Sequence, residues 1–156
     1  KHLRQSGVNA HLWVIGSSPI EALHEPGVTV IPYLNKILEA DRKRYFELLS
    51  AGHFLLLPTQ ADCTPMVIAE ANAFGMPALT TNVGGIPTLV QDGENGFLLP
   101  PSATGEAYAA IIRDLFEDTE KYVALSAQSR LTFSKKLNWA AWADEILALG
   151  RELGAD

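Results

Sequence analysis

The chain has 156 residues, 47% of them hydrophobic and 19% charged, which is enough apolar material for one soluble domain with its own core. A formal net charge of −6 argues against nucleic acid or an anionic membrane as a main partner, since phosphate-rich surfaces select a basic excess. The one cysteine, Cys63, excludes an internal disulfide and any multi-cysteine metal site and fits a reducing cytoplasm, no apolar run approaches the roughly 18 residues of a membrane span, and no signal peptide opens the sequence.

The opening Lys1-His-Leu-Arg-Gln-Ser-Gly7 reads as the last turns of a helix closed by glycine, with basic residues where the C-terminal dipole favours them. Such a start, without Met or a cap of its own, predicts a fragment preceded by at least a strand and a half-helix. Strands are expected at residues 11–15, 28–31, 54–57, 78–80 and 97–99, all short and mostly not alternating, as suits strands covered on both faces. Helices are expected at residues 40–51, closed by Gly52, at 65–74, closed by Gly75, and briefly near 86–91. This alternation predicts the α/β class, with a Rossmann-like doubly wound parallel sheet and helices on both faces.

After the turn dipeptides Asp92-Gly93 and Asn95-Gly96 the last strand gives way to a helical C-terminal tail. Tyr108, Ile112 and Leu115 mark one helix, Tyr122, Leu125 and Ser129 the next, and Trp139, Trp142, Ile146, Leu149 and Leu153 a third. We place the sheet-forming part at about residues 8–100 and the C-terminal helices at about 103–154, within a single domain spanning 1–156. The long aromatic stripe of the last helix has two readings: it packs on its own domain, as amphipathic helices do, or its end reaches toward a second domain.

Ligands of open parallel sheets sit beyond the carboxyl ends of the strands. The segments that fall there are residues 16–20, 32–36, 58–65 and 81–87, and the third is the richest in chemistry. Thr64 has the character of a helix N-cap and Pro65 of a first helical residue. The amides of Met66 and Val67 would then point out of the helix start, where an anion gains about 0.3–1 kcal/mol, and up to about 2 when partly buried. Asp62 in the same loop is either a turn-capping aspartate or a site residue. On a wheel of about 100° per residue, Glu70 falls between Met66 on one side and Val67 and Phe74 on the other, inside the apolar stripe. A carboxylate there has to meet buried donors or lie at the rim of a cleft. Its two oxygens suit a vicinal diol such as that of ribose.

Gly84-Gly85 reads as a tight turn allowing close backbone approach, with a border on the ligand cleft as a second reading. Competing motifs are absent: Gly16-Ser-Ser-Pro-Ile carries one glycine of a dinucleotide fingerprint, and no Walker A, H-E-x-x-H, C-x-x-C or G-x-S-x-G occurs. His2, His11, His24 and His53 are scattered and read as surface or strand-end residues.

Four stretches, in order, carry a resemblance: Phe54-Leu-Leu-Leu-Pro-Thr; Asp62-x7-Glu70-Ala-Asn-Ala-Phe-Gly-Met-Pro-Ala; Thr81-Asn-Val-Gly-Gly-Ile-Pro; and Val90-Gln-Asp-Gly-Glu-Asn-Gly-Phe-Leu-Leu-Pro. Together they closely resemble the C-terminal domain of group 1 retaining glycosyltransferases, family 4, with the GT-B fold, and the similarity extends over nearly the whole chain. The resemblance implies the nucleotide-sugar-binding half of a GT-B enzyme that transfers a hexosyl group to a saccharide or lipid-linked acceptor. The half would lack its first strand and its partner N-terminal acceptor-binding domain. In the family the acidic pair is Glu-x7-Glu. Its second member, matched by Glu70, holds the donor ribose, and its first, matched by Asp62, lies near the donor sugar; both are the candidate catalytic residues. The loop Cys63, Thr64, Pro65, Met66 and Val67 would face the sugar and diphosphate, and Pro32 and Tyr33 the base. No metal and no cofactor beyond the donor substrate is expected, nor any contact of this part with nucleic acid or membrane. The location implied is cytoplasmic, at the inner membrane face through the acceptor domain.

Two departures stand out. Asp62 replaces the usual glutamate and draws the carboxylate back by about 1.5 Å, and Thr64-Pro65 stands where the family often has Phe-Gly, which removes one amide and leaves Met66 and Val67 more important. The basic residues that the family places upstream to clamp the diphosphate are not in this sequence. Because transfer needs two oriented reactants, these residues alone are expected to be inactive. Other readings are a stand-alone nucleotide-binding or regulatory module and a sugar-nucleotide epimerase half, the latter wanting a cluster of acids and histidines that the sequence does not display.

Overall fold

The computed structural model describes residues 1–17 and 25–154. Five strands appear among them close to the expected runs: β1 (Leu12–Ile15), β2 (Val28–Ile31), β3 (Leu55–Leu57), β4 (Ala78–Thr81) and β5 (Gly96–Leu99). The helices are α1 (His2–Gln5), α2 (Glu39–Ala51), α3 (Met66–Ala73), α4 (Gly105–Glu117), α5 (Thr119–Lys135) and α6 (Trp139–Glu152). All strand pairing is parallel, β1 with β2 and β4 between β3 and β5. Parallel neighbours need a crossover, and α3 supplies the one from β3 to β4. His24 and residues 18–20 of the first expected ligand loop lie outside the described residues.

The chain gathers into two compact units, Lys1–Ala51 with Thr104–Glu117, and Gly52–Ala103 with the segment from Asp118 onward. In the first, α1 packs on α4 and Gly7, at φ 87, follows α1 as the glycine closure predicts. The segment after β2 is rooted by buried Leu34 and by two side-chain acceptors: Asp41 takes the Asn35 amide at 2.9 Å and Asn35 the Ile37 amide at 3.1 Å. Tyr108 of α4 is buried, burial pushes its phenol pKa up, and its hydroxyl has no hydrogen-bond partner among the described residues.

The second unit is built around β4, whose four residues are all buried, so Ala-Leu-Thr-Thr shows no alternation. Its two threonines are tolerated there because their hydroxyls donate to carbonyls of β3 and the loop that follows it, Thr80 to Leu57 at 2.9 Å and Thr81 to Thr59. Ile68, Ala78, Ile86 and Val90 form the buried core, with Leu55, Leu57, Val83, Leu89 and Leu98 packed around it. Asp118 caps α5 by accepting from the Lys121 amide at 3.0 Å, and Asn138 caps α6 from Ala141 at 3.0 Å. The Asn138 amide also closes α5 by donating to the Phe133 and Ser134 carbonyls.

Two expectations about elements are corrected. The short helix near residues 86–91 is a single 3-10 turn, Ile86–Thr88. Val90 goes into the core and the Gln91 amide is taken by Asn95 Oδ1 at 2.7 Å, so the chain leaves the helical path. The reading of α6 as packed on its own domain also fails, for no residue of this helix is buried. Trp139 is 71% exposed and Trp142 55%, and the two rings meet edge to face with centroids 5.9 Å apart.

Candidate functional site

Every step from Leu55 to Ala73 belongs to one unit: β3 ends at Leu57, residues 58–65 form the loop, and α3 follows. Asp62, Cys63, Thr64, Pro65, Met66, Val67 and Glu70 are therefore brought together at the carboxyl end of β3. Pro32 and Tyr33 follow β2 in the other unit, both exposed, Tyr33 by 77%.

The loop is held from the side of β4. Thr81 Oγ1 donates to the Thr59 carbonyl, Thr59 Oγ1 to the Ala61 carbonyl at 3.1 Å, and the Gly85 amide to the Asp62 carbonyl at 3.3 Å. Gly84, at φ 54, lies so near that a Cβ there would collide with the Asp62 carbonyl oxygen, and one on Gly85 would collide with that of Cys63. Close backbone approach, expected at this glycine pair, is what the pair provides, and what approaches is the acidic loop itself.

The loop's orientation follows. In a trans peptide the C=O and the N–H of one unit point in opposite directions. With the Asp62 and Cys63 carbonyls against Gly84 and Gly85, the amides of Cys63 and Thr64 are turned away from that wall. The Met66 and Val67 amides follow at the start of α3, where the first amides of a helix lack intrahelical acceptors.

The helix start itself differs from expectation. Pro65 is the N-cap, with extended ψ of 115° and no side-chain cap bond, and its carbonyl takes the Ile68 amide at 3.1 Å. Thr64 is one residue outside the helix.

Glu70 is corrected in its surroundings. The buried residues of α3 are Ile68, Ala71 and Asn72, whereas Met66 is 54% exposed and Phe74 is exposed as well. The face that the hydrophobicity wheel marks as apolar is the outward one, and Glu70 is half-buried on it. Of the two ways to satisfy this carboxylate, deep burial among donors is therefore not the one taken. The reason is packing partner: α3 lies on α5, where small side chains allow close contact, and the Ser126 hydroxyl donates to the Gly75 carbonyl at 2.6 Å.

Asn72 is buried because it is paired. Its Nδ2 donates to the Met76 carbonyl at 3.2 Å and the Asn95 carbonyl at 3.4 Å, while Asn95 Nδ2 donates to Asn72 Oδ1 at 2.7 Å and the Leu89 carbonyl at 2.9 Å. This bridge joins the Glu70 helix to the turn before β5, and sequence reading passed over it. The available signal was an asparagine in each of two otherwise apolar motifs. Asp62 is half-buried, and no hydrogen bond to its carboxylate is present among the described residues, so it caps no turn there. Among the described residues no group of three or more His, Cys, Asp or Glu side chains could hold a metal ion, and none of their helices is long and apolar enough to cross a membrane.

Residues 1–118 match the family model described as glycosyl transferases group 1. Among similar proteins, spore coat protein SA of Bacillus subtilis is 32% identical over 51% of this chain and 21% of its own length. Alpha-D-kanosaminyltransferase of Streptomyces kanamyceticus is 27% identical over 69% of this chain and 28% of its own. D-inositol 3-phosphate glycosyltransferase 1 of Catenulispora acidiphila is 32% identical over 65% and 24%. The chain thus spans less than a third of the length of these relatives. In structure it is similar to Anabaena HepE solved with UDP, with a TM-score of 0.73 at 22% identity over 92% of this chain and 41% of that one. Sucrose-phosphate synthase of Thermosynechococcus elongatus gives 0.72 at 25% identity over 93% and 39%. The Rossmann-like α/β fold with parallel sheets is the one these GT-B glycosyltransferases share.

Proposed function

From the premise that the chain belongs to the group 1 glycosyltransferases, we propose that it is the donor half of a retaining, family 4 enzyme. In this reading a hexosyl group passes from a nucleoside-diphosphate sugar to a saccharide or lipid-linked acceptor. The observation that carries it is the loop's orientation: two carbonyls pressed on Gly84 and Gly85 leave the Cys63 and Thr64 amides facing away, beside the free amides at the α3 start. Four backbone donors within the five residues from Cys63 to Val67 suit a diphosphate, and they do so where negative charge grows as the bond between the anomeric carbon and the phosphate oxygen breaks. Pro65 contributes no amide, so the cradle is split by one residue.

Glu70, half-buried on the outer face of α3, takes the ribose hydroxyls, one per carboxylate oxygen. Asp62, at the loop's far end, faces the donor sugar and tells nucleotide from nucleotide-sugar. No metal enters this account: backbone amides do the work of charge neutralisation. The acceptor is held by a further domain of the same protein, and the exposed stripe of α6 supports that reading, as a face made to be covered. Without that domain no acceptor hydroxyl is oriented and the chain alone turns over no donor.

HepE was solved with UDP and with UDP-glucose, which makes uridine donors the first to try. Calorimetric titration of the chain with UDP, GDP and ADP and their sugars tests the proposal. Glu70→Ala is expected to weaken binding of the preferred nucleotide at least about tenfold, the loss of a hydrogen bond to a charged group being about 1.5–3 kcal/mol. Unchanged affinity in that variant removes the ribose assignment.

A further inference from the structure

The Gly-Gly turn after β4 has a role in the donor site that the two carboxylates do not supply. Gly84 and Gly85 are glycines for different reasons. Gly84 has φ 54, a conformation that disfavours any side chain whatever surrounds it. Gly85 has φ −89 and ψ 0, the conformation of the third residue of a type I turn, which residues with side chains also occupy. What forbids a side chain at Gly85 is only the Cys63 carbonyl oxygen, into which a Cβ would run, with Thr64 Cγ2 a further 3.3 Å contact. The glycine is there for the loop and not for its own backbone.

The other ties act on the same loop and on the same kind of atom. The Gly85 amide holds the Asp62 carbonyl, and the Thr81 hydroxyl, at the end of fully buried β4, holds that of Thr59. Each tie fixes a carbonyl, and each peptide so fixed has its amide directed away from β4. A shift of the wall moves the Asp62 and Cys63 carbonyls and, with each, the amide of the same planar peptide unit, that of Cys63 or Thr64.

We propose that Gly85, with Thr81 as a second tie, is a positioning residue that sets the height and tilt of the loop from Asp62 to Thr64 and so the geometry of its diphosphate-facing amides. The proposal rests on the donor-site reading for its consequence in binding, but the positioning itself can be read without any ligand. Cys63, the chain's one cysteine and exposed, sits at the contact and reports on it.

The test compares Gly85→Ala with Gly93→Ala in the same chain. Gly93 also lies in the second unit, at φ 78, and has nothing within 4 Å of where its Cβ would be, so alanine there strains the backbone without touching the loop. Two quantities are measured on folded protein: the rate at which a disulfide reagent labels Cys63, and the affinity for UDP, GDP and ADP. In Gly85→Ala the labelling rate is expected to change several-fold and affinity for the preferred nucleotide to fall at least about tenfold, as displaced binding groups imply. Gly93→Ala is expected to melt at lower temperature with both quantities as in the unaltered chain. If Gly85→Ala fails to fold, Thr81→Val, which removes one hydroxyl at nearly constant shape, is expected to move both in the same direction by a smaller factor. Unchanged labelling in whichever of these variants folds, or an equal change in Gly93→Ala, overturns the positioning role; changed labelling with unchanged affinity overturns its link to donor binding. A chain that binds none of the three nucleotides counts against the donor reading instead, and the labelling rates still decide the positioning.

Discussion

Helices α3 and α6 read alike in sequence, each with a stripe of large apolar residues, and in both that stripe faces outward, yet α3 buries its other face and α6 buries none. In α3 the fully buried side chains are Ile68, Ala71 and an asparagine, while Met66 and Phe74 face out. In α6 nothing is buried, and Trp139, Trp142, Ile146, Leu149 and Leu153 are all exposed. Hydrophobicity along a helix names a face that would gain from burial. Which face is buried depends on what stands opposite, and α3 has β4 and α5 across from it.

Stability measurements sharpen this contrast, beginning with the largest effect. Ile68→Ala is expected to lower the unfolding free energy by about 3 kcal/mol, the usual loss for a fully buried branched side chain, while Trp142→Ala, a far larger truncation on α6, is expected to cost less than about 1 kcal/mol. Urea melts of the two variants check both at once, and a Trp142→Ala loss equal to that of Ile68→Ala would break the comparison.

Asn72→Ala comes next. It strips the donor from the Met76 and Asn95 carbonyls and leaves the Asn95 amide short of an acceptor, which implies about 2 kcal/mol. A double-mutant cycle with Asn95→Ala is expected to show the two losses far from additive, as for residues sharing one network. Additive losses would mean the bridge is not the reason an asparagine lies in the core.

The smallest expected effect has the opposite sign. Tyr108, buried in the other unit with no partner for its hydroxyl among the described residues, is the unpaired counterpart of Asn72. Tyr108→Phe is expected to raise stability by about 0.5–1 kcal/mol in thermal melts, since a buried hydroxyl without a bond is a liability. Destabilisation would reveal a partner for that oxygen.

Much of the framework was legible from local pattern. The five strands and the helices at residues 40–51 and 65–74 recurred within a residue or two of the expected runs, because short unalternating apolar runs and glycine closures are backbone-level signals. The position of the candidate segment was legible: Asp62 through Glu70 lie together at the end of β3, and Gly84-Gly85 makes the close approach that two adjacent glycines suggest. The helix start was misread by one residue, because Pro65 suits both the cap and the first turn and only its ψ tells them apart. Glu70's setting was misread because a wheel weights Met66 and Phe74 by size and gives Asn72 no credit for the partner that lets it be buried.

By itself, then, the sequence determined the α/β alternation, the closures of the helices, the family and the segment in which donor chemistry is sought. Those depend on residue type and spacing along the chain, which are local. The tertiary structure alone decided which face of α3 is inside, that Asn72 and Asn95 join two motifs, that α6 keeps its aromatic face exposed, and that Gly85 is glycine because the Cys63 carbonyl leans on it. Each of those depends on an atom far away in sequence. Burial, pairing and close contact are properties of the space between segments, and no residue carries them until its neighbour arrives.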